Sequence, residues 1–192
     1  MALDWDEIAK DWESRPTTQA FTKFVFDQLL ELTDLTDKRV LEVGCGTGLL
    51  AQYLSPLVKD IVALDSSEAM IEELDKKLLS NVEPVVDQLT RGLAAQHPAF
   101  RGQFDLIIAA SVCEFIDDLE MTMAVAYSLL EQGGAMLVWD VQQSASDNGI
   151  ETDRIVQSMQ SAGFSQVSQQ KAFTLMTDNG ELEVALVIGK QA

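Results

Sequence analysis

Short apolar runs alternate with amphipathic stretches along most of these 192 residues. That alternation constrains the fold more than any other feature. Residues 39–43, 61–65, 82–86, 104–109 and 135–139 read as strands. The fourth is almost wholly apolar, as a parallel strand covered on both faces should be. Residues 18–32 carry Phe21, Phe24, Val25, Leu29 and Leu32 at helical spacing, with Pro16 and Thr17 marking the start. Further helices are expected at 49–54, stopped near Pro56; at 66–79, opened by a serine cap in Ser66-Ser67-Glu68; at 119–130, ended by Gly133-Gly134; and at 150–161, closed by Gly163. Pro84 makes the third strand an edge. Two last strands, 164–175 and 181–188, flank Thr177-Asp178-Asn179-Gly180, a hairpin signal. The pattern predicts one α/β domain: a mostly parallel sheet, helices on both faces, and a C-terminal antiparallel hairpin. Such sheets take ligands at the carboxyl ends of their strands.

Composition narrows the function classes. No apolar run approaches the roughly 18–20 residues that span a bilayer. Residues 1–11 hold five acidic or tryptophan residues and no basic region, so no secretory signal is expected. Cys45 and Cys113 stand outside any CxxC or CxxH cluster, which predicts reduced thiols and a cytoplasmic protein. The chain has 31 acidic against 13 basic residues, a net charge of −18. Its densest basic stretches are only Lys38-Arg39 and Lys76-Lys77. Nucleic acid and anionic membranes are therefore not expected partners. The acidity itself reads as solubility, or as adaptation to a salty cytoplasm.

Chemistry concentrates where the first strand ends, at Glu42-Val43-Gly44-Cys45-Gly46-Thr47-Gly48. Glycines there allow a ligand close to the main chain, and the next helix turns its first N–H groups toward it. Position 49 is Leu, so the third glycine of the dinucleotide pattern GxGxxG is missing. The GK[ST] ending of a nucleoside-triphosphate loop is missing too. The same glycines could serve turn and packing geometry alone.

Residues 40–48 resemble motif I of the class I S-adenosylmethionine-dependent methyltransferases, an acid followed by GxGxG. The remainder is similar to that family in the same order, over residues 39–189. Asp65 ends the second strand, where the family has its ribose-binding acid. Ser66-Ser67-Glu68-Ala69-Met70 resembles a run whose methionine packs on adenine. Asp87 and Gln88 follow the third strand, beside the expected adenine. Residues 104–114 resemble the segment whose main chain meets the methionine part of the cofactor. Residues 129–134 resemble the family's LxxGG turn, and Ala162-Gly163-Phe164 its AGF. The resemblance implies a Rossmann-like methyltransferase fold with a seven-stranded sheet and a core over 37–192. It implies a cofactor site of Glu42, Gly44, Cys45, Gly46, Gly48, Asp65, Ser66, Met70, Asp87, Gln88, Ala110 and Ser111. Taken singly, Asp65 also reads as a cap, Met70 as core, Asp87 as a surface acid and Cys45 as turn packing.

The implied reaction moves a methyl group from S-adenosylmethionine to a small-molecule acceptor, leaving S-adenosylhomocysteine. The leaving group departs as a neutral thioether, so alignment and water exclusion suffice. The catalytic residues stay unassigned. His97, the lone histidine, reads as a surface residue, and no metal is expected; Asp140 with Asp117 or Asp118 reads more simply as caps or solvated acids. Residues 109–112 lack the [DN]-P-P-[YF] of amino-directed enzymes. The loop 141–149 is short and polar, so a lid must come from the N-terminal segment, residues 1–36, through Trp5, Trp12 and Arg15; the alternative is a helix docked on the sheet. A non-catalytic cofactor-binding regulator or assembly protein and a protein methyltransferase stay open. A nicotinamide oxidoreductase is a weaker alternative. The chain is expected to be a monomer or homodimer.

Overall fold

The computed structural model describes residues 4–142, 149–178 and 180–192. Most of the expected polar loop after the fifth strand, and Asn179 of the hairpin turn, lie outside the described residues. The chain divides into two compact units, Met1–Gln88 and Leu89–Ala192.

The first unit carries three parallel strands in the order β3-β2-β1: β1 (Arg39–Val43), β2 (Asp60–Asp65) and β3 (Val82–Val86). The centre of β1 and β2 is a run of β-branched and aliphatic residues. Val40, Leu41, Ile61, Val62, Ala63 and Leu64 are each 1% exposed or less, so these strands are covered on both faces. An ion pair between Arg39 and Asp60, 3.0 Å apart, joins the strand starts. Asp87 donates its amide inward to the Asp65 carbonyl. By the two-residue period, Pro84 then turns its nitrogen away from β2, which is why a proline is tolerated there.

Around these strands run a short helix α1 (Trp5–Ile8) with a 3-10 turn (Ala9–Asp11), α2 (Pro16–Leu32), α3 (Leu49–Leu54) and α4 (Glu68–Asp75). The apolar stripe expected on α2 is only partly buried. Val25 and Leu29 are fully covered, but Phe24 and Leu32 are exposed. Ser67 caps α4 by accepting from the Met70 amide, as its sequence predicts. The helix stops at Asp75, short of the expected 79, because Leu78 adopts a left-handed conformation that turns the chain into β3.

The second unit holds α5 (Arg91–Gln96), β4 (Phe104–Ala110), α6 (Leu119–Leu129), β5 (Leu130–Val141), α7 (Thr152–Ala162), β6 (Ser165–Thr177) and β7 (Gly180–Lys190). Strand β4 pairs parallel with β5, β5 antiparallel with β7, and β7 antiparallel with β6. The mixed sheet counts seven strands. Helix α5 has no periodic signature in the sequence; Thr90 caps it through the Leu93 amide. The Gly133-Gly134 pair does not end α6. That helix stops at Leu129, Leu130 is already extended and pairs with Phe104, and the glycines absorb a register shift before Ala135 meets Leu106. Gly163 closes α7 in the left-handed conformation, as expected. His97 caps a 3-10 turn, its Nδ1 accepting from the Ala99 amide.

Candidate functional site

The glycine turn between β1 and α3 is anchored to the end of β2. The amides of Gly44 and Cys45 both donate to the Leu64 carbonyl, at 2.8 and 3.0 Å. Gly46 and Gly48 have left-handed backbones, yet they face different neighbours. A Cβ on Gly48 would lie 2.3 Å from Leu74 Cδ1, so this glycine lets α4 pack against the turn. A Cβ on Gly46 would instead stand 3.6 Å from Trp12 Nε1 and 3.9 Å from Met70 Sδ. The Cβ face of Gly46 thus looks toward Trp12 and Met70 at ordinary contact distance. Cys45 is buried, and desolvation pushes its thiol well up, so it stays protonated.

Two acids stand beside the turn. Asp65 accepts from the Gly46 amide at 2.8 Å and from the Ser67 amide at 2.9 Å. Burial raises its pKa, and these amides oppose the rise. Glu42 is 3% exposed, and its Oε2 has no hydrogen-bond partner. Desolvation first, then the negative charge of Asp65, pushes Glu42 up to about 8, with Lys77 acting in the opposite direction. At neutral pH Glu42 therefore carries a proton. Ser66, next to Asp65, and Asp87 and Gln88, after β3, are exposed, and the Asp87 carboxylate takes the Gln88 amide at 2.7 Å.

The N-terminal segment lies on this turn. Trp12 is half-buried, with Trp5 edge-on to it at 5.5 Å and the Arg15 guanidinium 5.1 Å from its ring centre. Three partners were not singled out by the sequence: Glu13 accepts from the Thr47 hydroxyl at 2.7 Å and from the Lys77 ammonium at 2.5 Å. The variable position inside GxGxG gave the only available hint, since Thr47 offers a hydroxyl there.

In the second unit, Ala110 and Ser111 end β4. Ser111 is exposed, has a φ of 57°, and donates its amide to the Trp139 carbonyl at 2.7 Å. Asp140 is neither a helix cap of an ordinary kind nor solvated. It is 2% exposed and accepts from the amides of Val112 at 3.2 Å and Cys113 at 2.7 Å, pinning the turn after β4. Burial pushes it to about 6. Asp118 instead caps α6 through the Met121 amide. Among the described residues no group of three His, Cys, Asp or Glu side chains could hold a metal ion, and no helix is long and apolar enough to cross a membrane.

A mixed seven-stranded sheet with a glycine turn after β1 and an acid ending β2 defines the class I methyltransferase fold. The chain belongs to the methyltransferase-domain family, whose profile matches residues 17–183. It is 26% identical over 157 residues to the mitochondrial ubiquinone biosynthesis O-methyltransferase of Rattus norvegicus, covering 73% of this chain and 43% of that protein. It is 30% identical over 113 residues to the ubiquinone biosynthesis O-methyltransferase of Mesorhizobium japonicum, covering 58% and 44%. The chain thus spans less than half the length of these relatives. Its fold is that of the N-methyltransferase NodS of Bradyrhizobium japonicum, solved with S-adenosyl-L-homocysteine: TM-score 0.72, 16% identity, covering 98% of this chain and 99% of that one. A chain from the complex of a Haloferax volcanii methyltransferase activator with a putative methyltransferase superposes at TM-score 0.79, with 14% identity over 99% of this chain and 98% of that one.

Proposed function

We propose that the chain is an S-adenosylmethionine-dependent methyltransferase acting on a small-molecule acceptor in the cytoplasm. The observation that carries this reading is the buried, unpartnered Oε2 of Glu42 behind the glycine turn. A buried polar atom without a partner is costly, and a ligand donor such as the cofactor's amino group would relieve it. The surroundings fit the rest of the cofactor. Gly46 offers a close main-chain approach beside Met70, and Asp65 has two carboxylate oxygens at the end of β2 that suit a ribose diol. Family membership and the O-methyltransferase names of the relatives point to the same chemistry.

When bound, the cofactor supplies an electrophilic sulfonium methyl. This chain's residues then have little bond chemistry to perform. Asp65 and Gly46 hold and orient, and Met70 and Trp12 exclude water. Transfer by alignment calls for no base, and His97 is engaged as a cap.

The test is calorimetric titration with S-adenosylmethionine, S-adenosylhomocysteine and NADH. Micromolar binding of the first two and none of the third is expected. Binding of NADH alone would replace this reading with an oxidoreductase.

A further inference from the structure

The N-terminal segment touches the turn through polar ties and through half-buried apolar side chains, Trp5, Ile8 and Trp12. Helix α1 buries none of its residues, and the 3-10 turn that follows buries only Ala9. With Ala9 its one fully buried residue among 4–12, the segment also depends on its hydrogen bonds, which can open and reclose. Two sets of them do the holding. Near its start, Asp6 accepts from the Ser67 hydroxyl at 2.5 Å. Near its end, directly after Trp12, the Glu13 carboxylate takes both the Thr47 hydroxyl and the Lys77 ammonium.

Among the described residues the second tie is one of the two least exposed ion pairs, with Arg39–Asp60 the other. Lys23–Asp27 and Lys171–Glu183 are exposed, with side chains about half open to solvent, and contribute little. In the Glu13–Lys77 pair, Lys77 is only 15% exposed and Glu13 35%, so solvent and salt screen it less. Lys77 is also fixed on its other side, donating to Gln52 Oε1 at 2.9 Å. Thr47 is 2% exposed and belongs to the glycine turn itself. One carboxylate therefore joins the segment, the turn and the C-terminal end of α4.

We propose that Glu13 is a positioning residue that latches the N-terminal segment onto the glycine turn, holding Trp12 over Gly46 so that bound cofactor is retained. The inference rests on the cofactor reading given above. With the latch made, Trp12 Nε1 stands 3.6 Å from where a Cβ on Gly46 would lie. With it broken, the segment loses its tie to Thr47 and Lys77 while Asp6–Ser67 stays, and a ligand on the turn is less firmly covered.

The experiment is the release rate of S-adenosylhomocysteine, followed by tryptophan fluorescence after rapid dilution. It uses the wild type, Glu13→Gln, Glu13→Lys, Lys77→Glu and the double reversal Glu13→Lys/Lys77→Glu. The single variants should release about tenfold faster, with unchanged thermal midpoints within a few degrees. The double reversal should recover most of the loss, because a lysine at 13 can still donate to Thr47 and pair with a glutamate at 77. Trypsin should also cleave after Lys10 faster in ligand-free Glu13→Gln than in the wild type. Wild-type binding with unchanged release in Glu13→Gln, or no recovery in the double reversal, would overturn the latch. Wild-type protein that fails to bind S-adenosylhomocysteine would overturn the cofactor reading and the positioning role with it.

Discussion

Asp65 reaches from the end of β2 to take the Gly46 amide at 2.8 Å, so one carboxylate ties the second strand to the middle of the glycine turn. The same group accepts from Ser67 and so also sets the start of α4. Asp65→Ala removes an anchor of the turn together with the acceptor offered to a ribose. Cofactor affinity should fall by about 1.5–3 kcal/mol, the usual worth of hydrogen bonds to a charged group. Calorimetry with S-adenosylhomocysteine measures it; unchanged affinity would move the ribose site elsewhere.

The glycines of the turn should respond differently. Gly48→Ala drives a methyl into Leu74 in a left-handed backbone, so about 1–3 kcal/mol of stability should be lost in urea unfolding. A Cβ on Gly46 meets Trp12 and Met70 at ordinary contact distances, so Gly46→Val, whose methyls reach further, presses on half-buried Trp12 rather than on the turn's packing with α4. It should leave a folded protein and abolish cofactor binding.

Glu42 predicts a pH dependence with a definite sign. Its pKa rises from 4.5 to about 8 on folding, so across that window the folded state holds a proton that the unfolded chain releases. Stability should therefore fall as pH rises through the window and level off above about 8. Glu42→Gln should remove this slope and gain on the wild type at about pH 9 relative to about pH 5. Urea unfolding across pH checks it. A cationic group arriving at Glu42 would favour its ionised form. Cofactor binding near neutral pH should therefore release a proton, visible as a calorimetric heat that varies with buffer ionisation enthalpy.

Asp140→Ala leaves the Val112 and Cys113 amides unpaired in a buried place. A loss of about 1–3 kcal/mol is expected in chemical unfolding, with Asp140→Asn less damaging because its carbonyl still accepts.

The alternation of elements was legible because each strand from β1 to β5 has an apolar centre and each ends near a glycine, an acid or a small residue. Motif I was legible for the same reason: its residues are consecutive. What escaped were relations between distant positions. Nothing local marks Glu13 as the partner of Thr47 and Lys77, 34 and 64 residues away. Asp140 read as an ordinary acid because its donors, the amides of Val112 and Cys113, lie in the turn after another strand. Gly133-Gly134 misled for a different reason: glycines end helices and also absorb bulges, and only the pairing of Leu130 with Phe104 separates the two. On α2, periodicity identified a helix but not how wide a face is covered, so Phe24 and Leu32 keep the helical spacing and still lie exposed.

Pro84 has one more effect. An outermost strand with free N–H groups is a template onto which another chain can grow, the first step toward fibres. In β3 the outward nitrogen at position 84 carries no hydrogen, so an incoming strand would meet a gap in the middle of the five-residue edge. With a net charge of −18 repelling like molecules, that gap favours a chain that stays dispersed when concentrated. Replacing Pro84 with valine would test that protection by light scattering alone, without any reference to catalysis.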